Sequence, residues 1–272
     1  MAWQHILTSY KKFLTVLAIV MVLGSCEEVI DVNLINEIPK IVIESYITNT
    51  EFPITVKITK SQDFFNQANF APVKKASVQI ECLSEVDKLI ETDGGYYISS
   101  KIKGESGRTY TLKITADGKT YGASVELPQA IPIDTVYFKP GLFQNDSLNI
   151  FVGFHDPVKT ENYYRIRLFR NNRYAINDYF LLTDAFSDGQ KIVAPIYYRY
   201  FTPGDTVMVE LENLERNTWR YFKGLSEAIQ QGVNSQAPGN PPSNLTNGAL
   251  GIFGAWGSST YRVIVPVTTS KN

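Results

Sequence analysis

Any histidine chemistry in this chain must pass through one residue. The sequence holds two histidines, of which His5 lies in the N-terminal stretch and His155 in the body of the chain. A Ser-His-Asp or Cys-His arrangement would therefore need His155. It stands at the end of an alternating run and before Asp156-Pro157, where a turn-stabilising role fits better than that of a base. No G-x-S-x-G elbow, phosphate-binding loop, H-E-x-x-H or paired C-x-x-C is present. Carboxylates could act without histidine, as in glycoside hydrolysis, but among 27 acidic residues no pair stands out by spacing. The expectation is a protein that is not an enzyme.

The stretch from Asp184 to Gly189 could wrap a calcium ion through Asp184 and Asp188. It lacks the alternating acidic ligands and closing glutamate of a calcium loop. An acidic turn built on Asp188-Gly189 accounts for it, so no metal and no cofactor are expected. Aromatic residues offer binding rather than bond-making. Tyr197-Tyr198-Arg199-Tyr200-Phe201 is the densest run, and Trp256 lies in a glycine-rich segment further on. Consecutive tyrosines on a strand point alternately to opposite faces. Some of Tyr197, Tyr198, Arg199 and Tyr200 must then be exposed, or else the strand is covered on both faces by a helix and the glycine-rich segment. Tyrosine, tryptophan and arginine are the residues that interfaces enrich, so these and Trp256 are the candidate binding surface.

What positions this surface in a cell is read from Lys11 to Glu28. Two lysines precede an apolar run, Phe13 to Leu23, closed by Gly24-Ser25-Cys26. A basic start, an apolar stretch of about 7–15 residues and small residues at the cut define a secretory signal. A spanning helix needs about 20 apolar residues. The expected signal peptide is 1–25; Leu23-Gly24-Ser25-Cys26 resembles the lipobox of bacterial lipoproteins, which implies Cys26 as the new first residue, carrying lipid that anchors the chain to a membrane. Residues 26–37 then form an acidic tether.

Formal net charge is −1, so no broad field attracts nucleic acid. With Cys26 lipidated, Cys82 has no partner among the two cysteines and reads as a buried inert thiol. From Ile41 the hydrophobic period is two: Ile54, Val56 and Ile58, then Val78 and Ile80, then Tyr110, Leu112 and Ile114 before Asp117-Gly118. Alternation broken by turn residues predicts an immunoglobulin-like β-sandwich over 38–127. Leu127 to Asp134, with two prolines, is the expected boundary. Leu148, Ile150, Val152 and Phe154 resume the alternation, as do Val207, Val209 and Leu211. Residues 134–272 are expected to form a second β-rich domain. One inserted helix is predicted near 214–231, with Trp219, Phe222, Leu225 and Ile229 at helical spacing and Gly224 packed against a sheet. A glycine-rich C-terminal motif follows, with Gly248, Gly251, Gly254 and Gly257 every third residue, and a last strand from Tyr261 to Val265. The fold class expected is all-β.

Several of these stretches together resemble a known family. They are Leu23-Gly24-Ser25-Cys26, His155-Asp156-Pro157 leading to Asn162-Tyr163-Tyr164-Arg165, Pro203-Gly204-Asp205-Thr206-Val207 and Trp219-Arg220-Tyr221-Phe222. The most specific is Asn240-Pro241-Pro242-Ser243-Asn244 followed by Gly248 to Phe253. They are similar to the Bacteroidota outer-membrane lipoproteins grouped as domain of unknown function 4249. That resemblance implies a two-part β protein, often encoded beside a TonB-dependent receptor, and carries no catalytic residues over. The expected function is a non-catalytic, surface-facing lipoprotein that assists such a β-barrel receptor. The alternative is a free-standing structural or adhesive envelope lipoprotein.

Overall fold

Why β7 is a strand is plain from its sequence. In Thr109–Ala116, TYTLKITA, exposed and buried residues alternate without a break, so one face is apolar and the other polar. Asp117 and Gly118 both take positive φ (49° and 74°), the geometry of a tight two-residue hairpin turn. The chain returns as β8 (Lys119–Glu126). The same patterning recurs throughout the computed structural model, which describes residues 38–62, 70–140, 148–175, 179–198, 201–232 and 239–267. Cys26 and the signal and tether lie outside the described residues.

The first half contributes β1 (Ile41–Thr48), β2 (Thr55–Lys60), β3 (Ser77–Cys82), β4 (Glu85–Lys88), β5 (Ile90–Glu91), β6 (Tyr96–Ile98), β7 and β8. The second half contributes β9 (Ile133–Pro140), β10 (Leu148–His155), β11 (Tyr163–Arg170), β12 (Arg173–Tyr174), β13 (Phe180–Thr183), β14 (Lys191–Tyr197), β15 (Thr206–Leu214), helix α1 (Arg216–Gly232) and β16 (Leu250–Ile264). The fold is all-β with one inserted helix. A four-stranded sheet runs β4-β3-β7-β8, and a three-stranded sheet runs β14-β10-β9. Both face one nine-stranded sheet, ordered β12-β11-β15-β16-β1-β2-β6-β5, with β13 also on β11.

Two cores result. Ile43, Ile58, Ile80, Tyr110 and Leu112 centre the first, and Ile150, Phe154, Tyr164, Val209 and Leu211 the second. Their division falls at 128–133, but the halves are not separate sandwiches. Strand β16 pairs parallel with β1 on one side and antiparallel with β15 on the other. Its Phe253 and Ala255 complete the first core, while Val263 packs on the second. One sheet therefore runs through both halves, because the last long strand inserts between them.

The glycine-rich motif is this strand rather than a loop followed by a short strand. At Gly251, φ is +90° and a Cβ would sit 2.1 Å from the Ile43 carbonyl oxygen. At Gly257 a Cβ would sit 2.5 Å from the Pro128 carbonyl oxygen. Only glycine lets the neighbouring backbones approach so closely. Two carboxamides strap the strand in place. Asn244 donates to the Phe253 carbonyl (2.8 Å) and accepts from its N–H (3.1 Å). Asn49 does the same for Ser258 (3.1 and 2.7 Å).

Helix α1 begins two residues later than expected, because Leu214 still pairs with Tyr163 and Trp256 in the sheet. Glu215 caps it, accepting from the Thr218 N–H (3.0 Å) and hydroxyl (3.2 Å). Phe222 is buried and Trp219 and Leu225 pack beside it, but Ile229 is 60% exposed, so the buried face ends a turn early. Gly224 meets Pro242 and Pro241 (2.8 and 3.2 Å from a built Cβ), not a sheet. The proline segment after the helix folds back over it.

Candidate binding surface

The tyrosine run lies at the end of β14, and the structure separates its members. Tyr197 points outward and is 65% exposed. Tyr198 turns the other way, its ring 4.7 Å from that of Phe201, which in turn meets Phe138 on the second core. Arg199 and Tyr200 lie outside the described residues. Trp256 is not surface at all. It is buried beneath α1, its ring 5.0 Å from Tyr46 and 6.2 Å from Phe222. Strand β16 is buried on both faces along 251–258, which leaves the tryptophan no route outward.

Tyr197 belongs to a larger surface that its own run did not disclose. On β10 the inward residues Leu148, Ile150, Val152 and Phe154 are buried, while Asn149 and Phe151 on the other face are half-buried and Gly153 there is covered by Thr135. Register sets Tyr137 and Pro195 beside Phe151, Lys139 and Tyr197 beside Asn149, and Thr135 and Val193 beside Gly153. Tyr137 and Phe151 stack at 5.2 Å with planes 5° apart. The Lys139 ammonium caps both rings, 5.4 and 5.1 Å from their centres. Val193, Tyr137 and Tyr197 are all exposed. Pro195, with no N–H to offer, sits on the edge strand of this sheet, where it discourages addition of another strand. The outer face of the three-stranded sheet is thus an open aromatic surface with a cationic ridge, held flat by its own ladder.

The opposite side of the nine-stranded sheet carries a closed cluster instead. Arg165 pairs with Glu212 through two hydrogen bonds, one from Nε and one of 2.9 Å from Nη2. Its guanidinium carbon lies 3.9 Å from the centre of Phe222 and 5.1 Å from that of Trp256. Burial pushes the Glu212 carboxyl up, and Arg165 opposes that shift. Arg167 reaches Glu210 (3.2 Å) and Glu212 (3.6 Å), and Ser258 donates to Glu210 (2.7 Å). Burial likewise drives the Tyr46 hydroxyl far up and the Tyr221 hydroxyl up to about 12, so both stay neutral. This is packing chemistry, inaccessible to a ligand.

His155 pairs through Nδ1 with Asp134 at 2.6 Å, on exposed surface where β10 meets β9. The predicted acidic turn gains a third member. Asp156, Asp184 and Asp188 bring carboxylate oxygens within 4.8 Å of one another. Each is committed to backbone: Asp156 accepts from Gly189 (2.9 Å), Asp184 from Asn162 (2.8 Å) and Asp188 from Lys159 (2.7 Å). Tyr164 also donates to Asp156. Burial first, then repulsion from Asp156 and Asp188, pushes the Asp184 carboxyl up. Asp156 was invisible in sequence because it arrives from another loop.

Compared with family models, residues 27–262 match the one described as domain of unknown function (DUF4249). The chain belongs to that family. Within the matched span, residues 240–256 hold the proline brace on Gly224, the Asn244 strap and the Gly251 contact of β16. A search of curated proteins returns no match. Among solved structures, a two-domain fibronectin type III segment of chicken tenascin is 14% identical, covering 64% of this chain and 90% of that one, with a TM-score of 0.21. The adhesin InvE of Yersinia pseudotuberculosis is 14% identical over 64% of this chain and 55% of its own, TM-score 0.22. The chicken interferon gamma receptor alpha chain is 10% identical over 84% and 98%, TM-score 0.26. None superposes closely enough to inform function.

Proposed function

We propose that this member of the family is a lipid-anchored, non-catalytic protein of the bacterial outer membrane that assists a TonB-dependent β-barrel receptor. The outer face of the three-stranded sheet would carry the contact. The observation behind this reading is that open face. Tyr137, Val193 and Tyr197 expose aromatic and apolar surface around a half-buried Phe151 on one face of the sheet, where a monomer gains nothing by leaving it bare. The lipobox-like Leu23-Gly24-Ser25-Cys26 supports the anchor, and the acidic Glu27-Glu28 supports a surface-facing address.

The anchor is tested by mass spectrometry of the membrane-extracted protein and by Cys26→Ser. A mature N-terminal cysteine carrying acyl chains is expected, and the variant should leave the membrane fraction. The partner is tested by gentle extraction of a tagged, lipidated form from outer membranes. A large β-barrel receptor in near-equal amount is the expected outcome. A lone protein after cross-linking would point instead to the free-standing adhesive lipoprotein.

A further inference from the structure

A second feature, on a different part of the molecule, points to a small ligand. A cleft of about 540 Å³ opens where the end of β8, the 128–131 connection, the start of β11 and the start of α1 meet. Its size falls within the range of about 300–1,000 Å³ usual for small-molecule sites. The cleft sits at the seam of the two cores, and the chain that crosses the seam forms one wall.

Two deeply buried carboxamides stand in its lining, Asn162 at 5% and Asn213 at 3% exposure. Asn213 donates to the Gln129 carbonyl at 3.0 Å, and Asn162 donates weakly to Asn213 Oδ1 at 3.4 Å. That leaves Asn162 Oδ1 buried with no hydrogen-bond partner. A buried acceptor without a donor costs about 1–3 kcal/mol and calls for an explanation. Three carboxylates, Glu126, Glu161 and Glu215, and one guanidinium, Arg216, are its charged groups, beside the hydroxyls of Thr109, Ser124 and Thr160 and the Gln129 carboxamide. Glu215 is occupied as the helix cap, and Glu161 Oε1 accepts from Tyr163 at 2.5 Å. Glu161 keeps its second oxygen, and the whole Glu126 carboxylate is without an ion pair among the described residues. Val125, Ile131 and Leu214 supply apolar wall between these groups.

Three carboxylates against one guanidinium make the charge here net negative, and the walls between are aliphatic. We infer that this cleft binds a small organic cation: a primary ammonium group on a short apolar stem, held by the Glu161 and Glu126 carboxylates and the Asn162 carbonyl. An ammonium ion presents three donors and no acceptor, which matches this lining. A carboxylate ligand would meet three like charges, and a neutral polyol would leave the negative potential unmatched. The inference does not depend on the open aromatic face or on a barrel partner.

The test is calorimetric titration of the full chain in detergent with 1,4-diaminobutane, with 1,4-butanediol as the uncharged probe of equal length. Saturable one-site binding of the diamine is expected, weakening as salt rises, with no saturable binding of the diol. Glu126→Gln and Glu161→Gln should each weaken the diamine at least tenfold, with melting temperatures unchanged. Glu105→Gln, which removes the same charge elsewhere, should leave it alone. Failure of the diamine to saturate would overturn the inference, as would equal binding of the diol or equal loss in Glu105→Gln. Glu126→Gln is the safer variant because that side chain is exposed and bears no structural contact on the fold.

Discussion

Removing either member of the Arg165–Glu212 pair should be the most damaging charge change in the protein, and removing both should not. The Glu212 side chain is fully buried and that of Arg165 is 9% exposed, so neither can turn to water when its partner is lost. Breaking a buried pair typically costs about 3–5 kcal/mol, chiefly the unpaired charge that remains. In Arg165→Met that charge is Glu212, left with Arg167 at 3.6 Å as its remaining cation. The Phe222 and Trp256 rings lose their stacked guanidinium as well, each worth about 1–2 kcal/mol when desolvated. Together these put the expected cost at about 5 kcal/mol or more, against a total stability on the order of 5–15 kcal/mol. In Glu212→Leu the guanidinium stays between the rings, so a cost of about 3 kcal/mol is expected. The double variant Arg165→Met with Glu212→Leu keeps volume and removes both charges, and should lie within about 1.5 kcal/mol of the parent. Urea unfolding of a chain starting at Glu27, at pH 7, measures all four corners of the cycle. Single variants costing under about 1 kcal/mol would refute the reasoning, as would a double variant costing the sum of the singles.

Three further outcomes follow from other parts of the fold. Asp87 is buried and accepts from the N–H groups of Ser100, Lys101 and Ile102 (2.9, 2.7 and 3.1 Å); burial alone would raise its carboxyl, but these bonds hold it below the usual range. Asp87→Ala should therefore cost about 3 kcal/mol in urea unfolding at pH 7, and the parent's share from this group should vanish as acid titration passes below the folded value. Asp184 is shifted the other way, so its charged form weighs against the fold and that penalty grows as pH rises through its folded value. Asp184→Asn, which keeps an acceptor for the Asn162 N–H, should raise stability at pH 7 in the same assay. Gly251→Ala, with its Cβ driven into the Ile43 carbonyl, should break the β1–β16 ladder and cost at least about 3 kcal/mol; limited proteolysis should then cut between the two cores.

Local pattern announced the strands and the inserted helix, but not how they pair. The run 109–116 could be read residue by residue because a half-buried antiparallel strand writes its environment into every second position. The pairing of Val42 with Leu250 could not, because more than 200 positions separate the partners and no local signal ties them. That one contact turns two expected domains into halves of a shared sheet. The glycines at 251, 254 and 257 carried the clue, but a glycine needed for close approach in a strand looks the same in sequence as one in a loop. Trp256 misled for a related reason: an aromatic residue among glycines reads as exposed until the helix above it is placed. That part of the tyrosine run must face out was legible, but not that Tyr197 is the one, and Tyr137 and Phe151 sit in separate strands and meet it only through register. The cleft beside Asn162 gave no sequence signal, since its walls come from four separate stretches.

Photo-cross-linking from position 197 tests the central claim most directly. A photoreactive residue in place of Tyr197, in the lipidated protein in intact outer membranes, should yield an adduct with a β-barrel receptor. The same residue at Lys88, on the edge of the four-stranded sheet, should yield none. Equal adducts from both positions, or none from 197 while the barrel still co-purifies, would contradict the assignment of that face.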